Sequence, residues 1–325
     1  MISMGHGSPA DASSRRRFLK QWQRETGIRF VTGLSRVMGS LPYALVLPGC
    51  AGLGLLGCVL CARDRRRVLR NLARAFPQAG RRARVELAGQ VFVGMALNAM
   101  DGMRFLHRPV AELESLVDVR GGEYLMQAVE SGRGAIVVTG HLGPWELFAA
   151  YFARFFPLSV VARPAKDARL EELLSRLRAR FGVRVVREGD GRALVQLLKA
   201  GGLVGILCDQ ARKSEGTWVP FFGRPAWWPV GPAKLARLTG AALIVGGIRR
   251  VGWRRLEIVL RPPLDLGRAG AGPAGIQATT AEIARDLEGL VRESPSQWIW
   301  MYDPWRGAPV AAAETPARCG AGARG

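Results

Sequence analysis

From Val117 onward, short apolar runs alternate with amphipathic ones, and that alternation leaves few architectures open. Strands are predicted at Val117–Arg120, Ala135–Thr139, Leu158–Ala162, Val183–Val186, Leu203–Cys208, Ala242–Ile248 and Arg255–Leu260. Helices are predicted at Glu123–Ser131, Trp145–Phe155, Ala168–Phe181, Gly191–Ala200, Pro229–Thr239 and Ile276–Glu293. Parallel strands cannot be joined by a tight turn, so each needs a crossover, and the crossover helices land on the sheet faces. The pattern therefore predicts an α/β fold with a mostly parallel sheet flanked by helices. No internal repeat is visible.

The stretch Gly134–Glu146, GAIVVTGHLGPWE, carries the chemistry. A β-branched run ends at Gly140, His141 follows, and Pro144 suits the first turn of the next helix because its missing N–H has no intrahelical partner there. Strand-to-helix turns are where α/β proteins place reactive side chains. His141 and Glu146 are five residues apart, which on one continuous helix would set them about 140° from each other. They meet only if His141 lies on the loop and Glu146 in the following turn. In that arrangement Glu146 orients the imidazole, and His141 is the candidate general base for a hydroxyl. Backbone N–H groups at Leu142 and Gly143, near a helix N-terminus, are candidate oxyanion donors. Asp209-Gln210 ends another strand; Asp209 either stabilises protonated His141, positions an acceptor, or caps a helix. No cysteine or serine stands where a covalent nucleophile is needed, so direct transfer is preferred, with no metal and no redox cofactor.

The N-terminal third points to a membrane. Leu41–Ala62 is an uncharged run long enough to cross a hydrocarbon core of about 30 Å. Its prolines and glycines suit a membrane helix better than a soluble one. It stands too far into the chain for a signal peptide. Basic residues flank it on both sides, so charge asymmetry gives no orientation, and both full crossing and partial insertion kinked at Pro48 stay open. Upstream, Arg15–Arg36 reads as a basic amphipathic helix on an anionic bilayer. The net charge of +21 suits acidic partners. A nucleic-acid binder is disfavoured: the arginines are spread over the whole chain and no recognised motif is present. Cys58-x-x-Cys61 has no second pair, so a zinc site is not expected. The expected organisation is 1–14 disordered, 15–65 basic helix and membrane anchor, 66–306 the α/β domain, and 307–325 a disordered tail.

Helices are also predicted at Arg66–Phe76 and Arg81–Leu106, with His107 as a C-terminal cap and Met95, Met100 and Met103 as core filler or the border of an apolar pocket. The aromatic cluster Trp218, Phe221-Phe222 and Trp227-Trp228 fits a bilayer interface, an acyl channel or a core. Trp298–Tyr302 reads as an edge strand or a membrane-facing patch.

GHLGPWE, taken with Arg163-Pro164, Arg178-x-x-x-Gly182, Asp209-Gln210, FFGRP at Phe221–Pro225, GPAKLA at Gly231–Ala236 and RRVLRNLARAFP at Arg66–Pro77, resembles the lipid A late acyltransferases. These are the lauroyl and myristoyl transferases of bacterial envelopes; the blocks also resemble their lysophospholipid-acyltransferase-like relatives. They run in family order over roughly 30–306. Pro144 departs from the pattern, standing where many members have Asn, and Tyr302-Asp303-Pro304 stands where basic residues or His are common. The resemblance implies a glycerolipid acyltransferase-like fold. It implies transfer of a fatty acyl chain from an acyl carrier protein or coenzyme A thioester to a hydroxyl of a lipid A precursor, or of another acceptor such as a lysophospholipid or a phosphoinositide mannolipid. It also implies substrate-binding roles for Arg163, Arg178, Asp209 and Gln210, and a closing segment near the active site. The expected partners are the acyl carrier protein, an anionic membrane and the lipid acceptor. The expected location is the bacterial inner membrane, with the catalytic domain facing the cytoplasm.

Overall fold

A computed structural model describes residues 26–27, 29–210 and 214–309. The expectations for 1–14, for most of the upstream basic segment and for nearly all of the C-terminal tail lie outside the described residues. The strands in chain order are β1 (Val117–Arg120), β2 (Ala135–Thr139), β3 (Leu158–Ala162), β4 (Arg184–Arg187), β5 (Leu203–Leu207), β6 (Gly216–Phe221), β7 (Arg224–Pro229), β8 (Ala242–Arg250) and β9 (Leu256–Leu260). Seven of them form one sheet in the order β1-β9-β8-β2-β5-β3-β4. Every neighbouring pair is parallel except β8 and β9, whose short connection leaves no room for a crossover. The sheet is therefore mixed, with one antiparallel pair in an otherwise parallel order. Val183, predicted to begin β4, instead closes the preceding helix: its N–H donates to Arg178 O at 2.9 Å, next to Gly182 at φ 73°.

β2 lies at the centre, and all five of its residues are buried. The chain leaves β2 for β3, past β5, and leaves β5 for β8, back past β2. Two adjacent strands thus exit in opposite directions, and a crevice forms at such a point beyond their C-terminal ends. The register pairs Thr139 with Leu207, so residues just past the two ends share that crevice.

β6 and β7 form a separate antiparallel hairpin that the sequence reading did not anticipate. Its turn places Phe222 at φ 51° and Gly223 at φ 70°, a two-residue connection with both central residues left-handed. The Phe222 N–H donates to Glu288, and its ring packs edge-on against Phe76 and Trp300. The hairpin brings Phe221, Phe222 and Trp228 into one core with Trp298, Trp300 and Trp305. Those aromatics serve packing, so the membrane-facing reading of Trp298–Tyr302 is corrected for its two buried tryptophans.

Among the described residues, five helices precede the sheet, α1 (29–40), α2 (Tyr43–Leu60), α3 (Ala62–Ala75), α4 (Arg81–Arg104) and α5 (Val110–Leu116), and those that follow are α6 (Gly122–Glu130), α7 (Trp145–Phe152), α8 (Ala168–Phe181), α9 (Gly191–Lys199), α10 (Gly231–Thr239) and α11 (Gly272–Glu293). α2 runs unbroken through Pro48 and is the one described helix long and apolar enough to cross a membrane. It has two faces. Tyr43, Val46, Leu47, Cys50 and Gly54 are buried, and a Cβ at Gly54 would stand 2.6 Å from Val93 Cα, so α2 and α4 meet backbone to backbone there. Leu45, Leu53, Leu56, Val59 and Leu60 face outward and are exposed. α3 binds the C-terminal segment: the Asn71 amide donates to Trp300 O and Tyr302 O, and Arg74 pairs with Asp303 at 2.9 Å.

Candidate active site

The β2 exit is built so that only glycine fits at two positions. A Cβ at Gly140 would stand 2.9 Å from both Asp209 Oδ2 and Leu287 Cδ2. Gly143 has φ 58°, and a Cβ there would stand 2.1 Å from Ile248 O. The turn between them is pinned by the closing segment: Gly143 N–H donates to Gln297 O at 3.0 Å and Ile299 N–H to His141 O at 3.2 Å. Gln297 is itself held, its amide bonding both the N–H and the carbonyl of Arg250.

Held in this way, His141 meets Asp209. Nδ1 lies 2.6 Å from Oδ1, and the His141 backbone N–H donates to Oδ2 at 2.7 Å. The Trp298 indole N–H donates to the same Oδ2 at 2.8 Å. Asp209 is buried, and burial alone would raise its pKa. The charge of His141 and these hydrogen bonds outweigh that and hold it below the ordinary carboxylate range. Burial likewise pushes His141 down, but the Asp209 charge and hydrogen bond, and to a smaller degree Glu146, lift it above the ordinary imidazole value. An ionised Asp209 can only accept, so neutral His141 carries its proton on Nδ1 and a lone pair on Nε2. Nε2 has no protein partner among the described residues. This is the arrangement of a general base with its orienting carboxylate.

Glu146 is not that carboxylate, which corrects the sequence expectation. It stands in the first turn of α7 (Trp145–Phe152), and both of its oxygens are taken by Arg178 on α8 (Ala168–Phe181), Nε at 2.9 Å and Nη2 at 2.6 Å. A helix starting at Trp145 turns residue 146 away from the loop and towards α8. That bidentate pairing also occupies the guanidinium of Arg178 expected to bind substrate. The oxyanion expectation for Leu142 and Gly143 is corrected too: Leu142 N–H donates to Gly140 O at 2.8 Å, and Gly143 N–H is spent on Gln297. Arg163 sits on the rim paired with Glu188, which also accepts from Ser214 at 2.8 Å. Gln210 is an exposed rim residue. Of the readings open for Asp209, the geometry selects the one that stabilises His141; Trp298 is the partner that sequence reasoning missed.

His141, Glu146, Arg163, Arg178 and Gln210 all line one groove of about 1330 Å³. Its floor is the ends of β3 and β5, and its walls carry Leu173, Leu174 and Leu177 of α8, Met95 of α4, and Leu235 and Leu238 of α10 (Gly231–Thr239). Val161, Ile206 and Leu207 lead from it to a smaller apolar recess beneath α7, bounded by Phe148, Phe152 and Gly205. Apolar walls with a few polar groups converging at one end are what a small-molecule site requires. Among the described residues, no three His, Cys, Asp or Glu side chains gather as metal ligands would.

The model of the bacterial lipid A biosynthesis acyltransferase family matches residues 14–307. The chain belongs to that family. It is an acyltransferase of the lipid A and glycerolipid type. The enzyme is 24% identical over 285 residues to the lipid A biosynthesis lauroyltransferase of Escherichia coli K12, covering 85% of this chain and 90% of that one. It is 31% identical over 205 residues to a phosphatidylinositol mannoside acyltransferase of Mycobacterium tuberculosis, covering 61% of this chain and 63% of that protein. Among solved structures, the 1-acyl-sn-glycerophosphate acyltransferase PlsC of Thermotoga maritima matches at 16% identity with a TM-score of 0.34, over 79% of this chain and 97% of that one.

Proposed function

We propose that the enzyme moves a fatty acyl chain from an acyl carrier protein or coenzyme A thioester to a hydroxyl of a lipid A precursor, at the cytoplasmic face of the bacterial inner membrane. The observation that carries this reading is the His141–Asp209 pair opening onto an apolar groove. His141 Nε2 takes the proton of the acceptor hydroxyl as its oxygen attacks the thioester carbonyl carbon. The C–O bond forms, the C–S bond breaks, and the imidazolium returns its proton to the departing thiolate. Asp209 keeps the ring in the required tautomer and offsets the positive charge it gains. Glu146 and Arg178 are positioning residues that fix the α7–α8 wall of the groove. The apolar walls suit a fatty chain.

The lipid A precursor is favoured as acceptor because the Escherichia coli lauroyltransferase is matched over nearly its whole length. The outward leucines of α2 support attachment to a bilayer, and the net charge of +21 suits both an anionic leaflet and an acidic carrier protein. Mass spectrometry of envelope lipids from cells with and without the gene tests the proposal. Loss of one acyl chain from lipid A, restored by the wild-type gene but not by His141→Ala, is expected. Loss from a mannolipid or phospholipid instead would overturn the acceptor, and an unchanged lipid profile would overturn the activity.

A further inference from the structure

α8 has two working faces. Leu174, Leu177 and Arg178 point to the catalytic groove. Arg169, Glu172, Arg176 and Arg180, spaced at three and four residues, line a second cavity of about 490 Å³ on the neighbouring face. Its other walls are Val31, Thr32 and Ser35 of α1 and Leu106 and His107, just past the end of α4. Leu173 is the one lining residue the two cavities share.

We propose that this second cavity binds a phosphate group, of the kind an anionic lipid headgroup carries. Three guanidiniums face it against one carboxylate, Glu172. Each is held in place while keeping donors to spare: Arg176 Nε is on Glu172 at 2.7 Å, Arg180 Nη2 on Arg108 O at 2.7 Å, and Arg169 on Asp167. A guanidinium carries five N–H donors, so most of theirs remain for a phosphate. Ser35 is buried and donates to Thr32 O at 2.8 Å. Its oxygen therefore accepts from His107 Nε2 at 2.9 Å, which leaves Nδ1 as the atom that gains a proton when His107 is charged. Burial, then Arg36, Arg180 and Arg176, hold His107 below the ordinary imidazole value, and a bound anion would reverse the effect of those charges.

The position of the cavity favours a lipid as the source of the phosphate. α1 joins the apolar helix α2 through Leu41 and Pro42, and Arg104 Nη1 fixes the junction by donating to Met38 O and Leu41 O. α1 also presents Phe30 and Val37 to solvent. A bilayer holding α2 would bring its headgroups to this cavity. None of this depends on acyl transfer.

The test uses the full chain in nanodiscs and follows both described histidines by nitrogen-15 NMR. Replacing pure phosphatidylcholine with a phosphatidylcholine–phosphatidylglycerol mixture is expected to raise the titration midpoint of His107. Arg176→Gln/Arg180→Gln should abolish that rise and weaken phosphatidylglycerol binding at least about tenfold. The His141 titration should not move, which reports that the variant is folded; Arg169→Gln is the second variant, on the rim. Inorganic phosphate or glycerol phosphate reproducing the shift in phosphatidylcholine discs, where phosphatidylglycerol does not, would assign the site to a soluble phosphate. A His107 midpoint unmoved by either probe, or moved equally in the double variant, overturns the proposal.

Discussion

His141 and Asp209 each stand two residues beyond the ends of neighbouring parallel strands, and the register Thr139 to Leu207 sets them side by side at 2.6 Å. The catalytic pair is therefore a product of strand order. Removing either member should stop the reaction for different reasons. His141→Ala loses the base, at a cost on the order of 10²–10⁴-fold in kcat. Asp209→Asn keeps the shape but puts an amide among three N–H groups that donate to it, so it should lose activity over a similar range and also cost about 1–3 kcal/mol of stability. Thermal melts beside single-turnover rates check both: each variant should melt below the wild type, His141→Ala because the buried Asp209 carboxylate loses its main partner and Asp209→Asn because its amide meets three donors.

The pH profile follows from the sign of the His141 shift. A general base works when neutral, and its pKa is raised, so kcat/KM should fall with acidification with a midpoint above the ordinary imidazole value of about 6.5. In Asp209→Asn the residual activity should have its midpoint moved down, because burial then acts without the opposing carboxylate. The stability linkage has the opposite direction. With the folded pKa above the unfolded one, the contribution of His141 is fully present below the unfolded value and is lost as pH rises through the folded one. Titrating both the rate and the melting temperature between the two values should show activity rising while this part of the stability falls.

Glu146 gives a sharper test of which carboxylate does what. Its side chain and that of Arg178 are 14% and 11% exposed, so each is largely shielded from water. Glu146→Gln leaves a guanidinium short of its counter-charge, a loss of up to about 3–5 kcal/mol for a buried pair. The Glu146→Gln/Arg178→Gln double variant should lose less than the sum of the singles. If Glu146 oriented His141, Glu146→Gln would move the pH midpoint as far as Asp209→Asn does; only a small shift is expected.

The contrast shows what a sequence of this kind makes legible. Seven strands and most helices follow from apolar periodicity, a local signal. The β6–β7 hairpin did not, because Pro220, Pro225 and Pro229 argue against a strand interior; a lone two-stranded hairpin tolerates them at positions that donate no ladder bond. Glu146, near in sequence, looked like the partner of His141. Asp209 is 68 residues away, and only the order β2-β5 makes it adjacent. Trp298 carried no local signal at all, since its indole reaches Asp209 only because the closing segment pairs with the His141 turn.

The outward face of α2 can be altered without touching the core. Leu45, Leu53, Leu56 and Leu60 are all more than half exposed, so replacing them with serine should leave the melting temperature nearly unchanged. In a bilayer each apolar side chain contributes about 1.5–3 kcal/mol of transfer energy, so the fourfold variant should move from the membrane pellet to the supernatant. Flotation on liposomes measures this directly. A variant that still floats would remove α2 as the attachment.

Chain length should be set where the groove runs out beneath α7. Gly205 borders the recess between β2, β3 and α7, and a Cβ there would stand 3.3 Å from Val160 Cγ1 and 3.8 Å from Leu158 Cδ1. The first contact is tight but falls on a side-chain methyl that can give by a few tenths of an ångström. Gly205→Ala should therefore fold with a loss of about 1 kcal/mol or less. The added methyl takes roughly the space of one terminal methylene, worth about 0.8 kcal/mol when buried. Competition between acyl donors of different lengths should show the variant turned towards shorter chains by about 3–5-fold per lost methylene, with the pH midpoint unchanged. An unaltered length preference would place the end of the acyl chain elsewhere in the groove.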